Sequence, residues 1–167
     1  MIIRAYQPSD LPALHRINQA STPGVSPETP ESLAHWIGLS TGFVATDEAG
    51  APLGFLTLVE LGTDAYTSAN LRWFEDRQVR EGGDTVYVDR IAVDPAHRGQ
   101  QVGAALYTHA FQVLAGRGEI GCEVNVRPPN PGSQRFHARL GFRQIGERTY
   151  GGGDKAVGYW VRRLDNA

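Results

Sequence analysis

The stretch TVYVDRIAVDPAHRGQQVGAALYTHAFQVLAG, residues 85–116, constrains the fold more than any other. Its first nine residues are rich in β-branched and aromatic side chains, a strand signature. After the turn DPAHRGQQVG the apolar spacing changes. Val102, Leu106, Ala110 and Val113 recur at helical intervals, which predicts a helix from about Val102 to Ala115. A strand that passes through a glycine-bearing turn into a helix belongs in an α/β arrangement. The same junction gathers backbone N–H groups at one point. A helix start leaves donors unpaired, and its dipole favours negative charge, so a phosphate is well held there. Arg98 adds a cation for a phosphate oxygen. Gly99 and Gly103 lack Cβ atoms, so backbone can approach a bulky ligand. Gln101 would cost about 1–2 kcal/mol if its φ were positive. Because the helix begins at this point, a near-helical backbone is expected for it. The alternative reading of RGQQVG is a solvated turn before a surface helix.

The other segments extend the α/β pattern. MIIRAY predicts a first strand, and Leu11, Leu14 and Ile17 mark a helix to about Ala20. Thr29 with Pro30 opens a second helix to about Leu39 that buries Leu33 and Ile37. GFVATD and PLGFLTLVEL predict a hairpin around Gly50. Residues 62–84 show no clean period and are expected to be a functional loop. IGCEVNV predicts another strand, Asn130 and Pro131 open a short helix, and Gly141 closes it. FRQIGERTY and AVGYWVRRL are the final strands. YGGGDK joins them, either as a mobile lid or as a long hairpin connection.

Composition narrows the function. The 167 residues suit a single domain, 1–167, and 41% hydrophobic with 20% charged content is ordinary for a soluble protein. A net charge of -2 gives no electrostatic case for nucleic acid or an anionic membrane as partner. Cys122 is the only cysteine, so an intramolecular disulfide is excluded. The N-terminus lacks a signal-peptide pattern and no apolar stretch is long enough to span a bilayer, so a cytoplasmic protein is expected. His15, His35, His97 and His109 show no zinc-ligand spacing with cysteine, so no metal site is expected.

Three quoted motifs together resemble the GNAT superfamily of acyl-CoA-dependent N-acetyltransferases. Arg98-Gly99-Gln100-Gln101-Val102-Gly103 is similar to that family's Q/R-x-x-G-x-G/A, with Gln101 in place of the middle glycine. VYVDRIAVDP resembles its central strand, and NPGSQRFHARLGF its later pattern of Asn, short helix, aromatic pair and Leu-Gly-Phe. YVDRIAV, CEVNVRPPNPGS and FHARLGF look like one bacterial branch of it. The resemblance implies a mixed, mostly antiparallel twisted sheet with helices on both faces. It implies a V-shaped split between the YVDRIAV and CEVNV strands. Acetyl-CoA would lie in the split as cosubstrate, with pantetheine along Ile91, Ala92 and Val93. The pyrophosphate would rest on Gln100, Gln101, Val102, Gly103 and Ala104, beside Arg98 and Gly99. Asn130, with Ser133 and Phe136, would meet the pantetheine arm, or Asn130 would only cap its helix.

The implied reaction sets further expectations. An amine with pKa near 10.4 is neutral in roughly one molecule in 2,500 at pH 7, so a base is useful. Asp89 is the first candidate, because a carboxylate in a central strand is costly without a role or partner. Its alternative is an ion pair with Arg90 or another arginine, although strand neighbours face opposite sides. Glu123 is the second candidate, with a solvent-facing position as its alternative. His137 stands where many family members carry a tyrosine that protonates the leaving thiolate. It either serves as that donor or simply packs in its helix, and Tyr87 and Tyr107 are fallbacks. Backbone around Ile91 and Ala92 would receive the oxyanion. The expected acceptor is a primary amine of a small molecule. Asn70, Arg72, Trp73, Asn125 and Arg127 are its candidate contacts, and the two arginines suit a carboxylate. The aromatics of residues 66–74 alternatively cover the core or form a homodimer contact. Two rival functions are a non-catalytic acyl-CoA-binding module and a nucleotide-binding protein. The second is disfavoured because neither G-x-x-x-x-G-K-[ST] nor G-x-G-x-x-G follows the strand.

Overall fold

The computed structural model describes residues 1–164; residues 165–167 of the expected domain lie outside the described part. The strands are β1 (Ile2–Ala5), β2 (Thr41–Thr46), β3 (Pro52–Glu60), β4 (Thr85–Val93), β5 (Glu119–Arg127), β6 (Arg143–Tyr150) and β7 (Lys155–Arg163). The helices are α1 (Leu11–Ala20), α2 (Pro30–Gly38), α3 (Ala69–Glu81), α4 (Val102–Val113) and α5 (Pro131–Arg139). The strands form one sheet in the order β1-β2-β3-β4-β5-β7-β6. Every neighbouring pair is antiparallel except β4 with β5.

Side-chain alternation along the strands divides the core between two faces. Leu56, Leu58, Val86, Val88, Ile120 and Val124 pack against Leu106, Tyr107 and Ala110 of α4 and Phe136 of α5. On the opposite face, Val44 and Phe55 meet Leu14, Ile17, Leu33 and Ile37 of α1 and α2. Beside them Val59, Tyr87 and Tyr159 meet Leu71 and Phe74 of α3. Helices therefore cover both faces.

Two sequence expectations change here. Most of the supposed loop at 62–84 is α3, capped by Ser68, whose hydroxyl accepts from the Leu71 N–H. Only Leu71 and Phe74 of this helix are buried, so its apolar stripe is too sparse to show a period. Gly121 in β5 makes room for it, since a Cβ there would lie 2.6 Å from the Phe74 ring. In α4 the expected core residue Val113 is 52% exposed, while Leu114 takes the inward position. Val102, Leu106, Ala110 and Leu114 follow four-residue steps, and Val113 falls off that row.

The sheet opens at its centre. The β4–β5 ladder joins only Thr85 to Glu119, Val86 to Ile120 and Tyr87 to Gly121. Just beyond, β4 carries a bulge. Leu58 of β3 opposes Val88 and Thr57 opposes Arg90, which leaves Asp89 without a partner. An extra residue bends a strand and raises its local twist. Here the bend coincides with the point where β4 leaves β5.

Candidate active site

A cavity of about 770 Å³ fills the split. Val88, Asp89, Ile91, Ala92 and Val93 line it from β4, and Cys122, Glu123 and Asn125 from β5. Arg98, Gly99, Gln101, Val102, Gly103 and Ala104 form its upper wall, and Asn130, Ser133, Phe136 and His137 its far wall. Of the expected turn residues only Gln100 is missing from this lining. It is exposed to solvent. Along Ile91 to Val93, β4 has no strand partner on its β5 side, so an extended ligand can pair there.

The turn presents its donors as the sequence suggested, but by a different route. The first helical bond runs from the Ala105 N–H to the Gln101 carbonyl at 2.9 Å. No side chain caps α4, so the N–H groups of Val102, Gly103 and Ala104 have no helical partner. Gln101 itself is left-handed, with φ 65° and ψ 13°, not near-helical. Gly99 is also left-handed at φ 77°, and the chain needs both reversals to swing from β4 into α4. The helix start thus does not spare Gln101 its steric cost. Gln101→Gly is expected to stabilise the fold by about 1 kcal/mol, or roughly 2–4 °C in Tm. Thermal unfolding checks this, and a lower Tm would mean that the glutamine side chain holds the turn.

A second cavity, of about 470 Å³, lies on the α1–α3 side of the split. Asp89, Glu123 and Asn125 belong to both walls, as do Pro23, Gly24, Val25 and Pro128. The α1–α2 connection therefore roofs both cavities, and a buried arginine holds it there. Arg90 Nη1 donates to Asn18 Oδ1 and the Ser26 carbonyl, each at 3.0 Å. Its Nη2 donates to Ser26 Oγ at 3.2 Å and Glu28 Oε1 at 2.5 Å. Its Nε lies 3.0 Å from Asp89 Oδ2 as an ion pair, off the hydrogen-bond line. The bulge permits this contact by turning Asp89 and Arg90 to one face, against the ordinary alternation.

The two carboxylates differ in their surroundings. Asp89 is paired with Arg90 and also accepts from the Tyr66 hydroxyl. Burial raises its pKa above the usual carboxylate range, against the pull of Arg90. Glu123 accepts from the Tyr87 hydroxyl at 2.6 Å and has no ion pair among the described residues. Burial, and next the charge of Asp89, push its pKa up to about 8. Its side chain faces the cavities rather than bulk solvent.

Comparison with known proteins gives this geometry a family. The sequence profile of the Acetyltransferase (GNAT) family matches residues 11–142. The chain belongs to the GNAT family. An N-acetyltransferase of Streptomyces griseus is 46% identical over 70 residues, which are 41% of this chain and 34% of that relative. The matched segment thus spans about a third of the relative's length. The ribosomal-protein-S18-alanine N-acetyltransferase from Escherichia coli shares the fold, with TM-score 0.72 and 20% identity over 99% of this chain and 95% of that one. So does a GNAT superfamily phosphinothricin acetyltransferase from Sinorhizobium meliloti in complex with AcCoA. Its TM-score is 0.70 at 19% identity, over 98% of this chain and 88% of that one.

In this GNAT chain His137, expected to stand in the slot of a family tyrosine, sits as its hydrogen bonds fix it. Nδ1 lies 2.8 Å from the Ser133 carbonyl, so it carries the proton and donates. Nε2 then accepts from the Tyr107 hydroxyl at 2.8 Å. Burial lowers the pKa of His137, which keeps the ring neutral. His137 is thus a buried acceptor, and Tyr107, a sequence fallback, is the hydroxyl on that wall. Replacing His137 with Phe would leave this hydroxyl buried without an acceptor. The expected cost is about 1–3 kcal/mol in urea unfolding, and unchanged stability would mean that Tyr107 finds another partner.

The expected acceptor contacts separate. Asn70 lines the second cavity and accepts from Tyr159 Oη at 2.9 Å and Arg148 at 3.2 Å. Asn125 lines both cavities and donates to the Pro23 carbonyl at 3.0 Å. Arg72, Trp73 and Arg127 line neither. Arg72 instead pairs with Glu75 and donates to the Tyr66 carbonyl at 2.6 Å, bracing the loop before α3. Trp73 stacks on Tyr159 with ring centroids 3.9 Å apart, and Arg127 is exposed at the end of β5. Asn130 does cap α5, accepting from the Ser133 N–H at 3.2 Å, and lines the larger cavity as well. Sequence reading missed the roof at 23–28 and the wall residues Trp36, Tyr150 and Lys155. No single pattern marks them, since they come from the α1–α2 loop, from α2 and from a hairpin end.

Proposed function

We propose that this protein is an acetyl-CoA-dependent N-acetyltransferase that acylates a primary amine of a small molecule by direct attack. The observation that carries the reading is the pair of cavities that meet at Asp89 and Glu123. Two substrates can reach one point from opposite sides of the sheet. The family and the AcCoA-bound neighbour support acetyl-CoA as donor. The free β4 edge and the uncapped α4 start fit its pantetheine and pyrophosphate, with Arg98 beside the latter.

In this reading the amine enters through the smaller cavity and Glu123 takes its proton. Glu123 is preferred over Asp89 because Arg90 already holds Asp89 as a counter-ion. The neutral nitrogen attacks the thioester carbonyl. Backbone N–H groups near Ile91 and Ala92 receive the oxyanion, and the C–S bond breaks as it collapses. The thiolate leaves into the larger cavity and takes up the proton that the nitrogen loses as the amide forms; His137, which accepts from the Tyr107 hydroxyl, acts only by fixing that side chain on the cavity wall. Cys122 is unsuited to carry the acetyl group, since burial pushes its thiol well above the usual range.

Initial-velocity measurements with varied acetyl-CoA and amine test this mechanism. Direct attack predicts intersecting lines and no acetylated protein by intact mass. Parallel lines with an acetyl group on Cys122 would overturn it.

A further inference from the structure

The smaller cavity carries two carboxylates where it meets the larger one, the ion-paired Arg90 and Glu28 on its wall, and one exposed lysine. The two carboxylates are Asp89 and Glu123. The lysine is Lys155, the only one in the chain. The β7 ladder gives the spacing. Tyr159 opposes Glu123, Val157 opposes Asn125, and Lys155 lies two residues further out on the same face. Four residues of strand separate the Glu123 level from Lys155, about 13 Å of backbone. Lys155 pairs across the hairpin with Tyr150, and its stem runs past Gly151, which has no side chain to deflect it.

Lys155 is also uncommitted. Arg90 is consumed by Glu28, Ser26, Asn18 and Asp89. Arg148 is held by Tyr159 and Asn70. Lys155 has no ion pair or side-chain hydrogen bond among the described residues. Resting on the transfer reading above, we infer that the acceptor is an amino carboxylic acid, with its amine at Glu123 and its carboxylate on Lys155. The carboxylate that sequence analysis assigned to Arg72 and Arg127 is matched instead by Lys155. Trp36, Tyr66 and Tyr150 offer faces for the carbon chain between the two ends.

A charge-reversal experiment tests this. The probes are lysine and 5-aminopentanoate, against cadaverine and pentylamine, which lack the carboxylate. The wild type is expected to favour the carboxylates by 10-fold or more in kcat/KM. Lys155→Glu is expected to reverse the order in favour of cadaverine, mainly through KM, while acetyl-CoA affinity holds. Calorimetry of 5-aminopentanoate into the CoA-bound protein is expected to show binding lost in the variant. Equal preference in wild type and variant, or equal loss for all four amines, would overturn the carboxylate assignment and leave the transferase reading intact. Acetylation of no amine would overturn both.

Discussion

Glu123→Gln is expected to lower kcat by about 100- to 1,000-fold while acetyl-CoA affinity changes little. Gln is nearly isosteric, and its carbonyl can still accept from Tyr87, so the site keeps its shape while losing its base. The wild-type rate should rise with pH through an apparent pKa near 8, the value to which burial and Asp89 push Glu123. With Asp89 so near, that value belongs to the carboxylate pair. The variant should lack this limb. Stability carries the same signature. Between pH 4.5, the carboxyl's ordinary value, and about 8, the folded protein keeps a proton that the unfolded chain has released. Wild-type stability therefore falls as pH rises through that window and levels off above it, whereas Glu123→Gln is flatter. Parallel pH–rate and pH–unfolding series check both claims. A variant that keeps the limb near pH 8 would move the base to Asp89.

Gly103→Glu is expected to weaken acetyl-CoA binding by at least about 100-fold, or roughly 2.7 kcal/mol. Gly103 lies in the first turn of α4 and on the cavity wall, and a Cβ there would stand 3.0 Å from the Phe136 ring. Any side chain must displace Phe136 or enter the cleft. A glutamate also puts negative charge where the unpaired donors await a pyrophosphate. Yet an acidic residue in a first helical turn favours the helix itself, so the protein should stay folded. Calorimetry with circular dichroism separates binding from folding. A folded variant with unchanged affinity would remove the turn from the cofactor site.

Much of this architecture is legible in the residues because it rests on local patterns. Strand β4, the turn and α4 announce themselves by a change of period and by Gly99 and Gly103. Thr29 and Pro30 mark the start of α2, as Asn130 and Pro131 mark that of α5. What escaped depends on contacts distant in sequence. Helix α3 buries only two side chains, and its seat is defined by Gly121, far along the chain. The bulge at Asp89 arises from its register with Thr57 and Leu58, which no property of YVDRIAV displays. That slip turns Asp89 toward Arg90 and defeats the rule that strand neighbours diverge. Arg72 and Trp73 looked like pocket residues by type, but Glu75 and Tyr159 had already engaged them. Lys155 carried no signal beyond its isolation in a glycine-rich hairpin.

The most direct test of the central claim is thiol release from acetyl-CoA by the wild-type protein, with and without a primary amine, at pH 8. The account predicts release only when amine is present, one thiol per acetylated amine. Tight acetyl-CoA binding with no amine-dependent release would contradict it, and would make the chain an acyl-CoA-binding module built on a transferase fold.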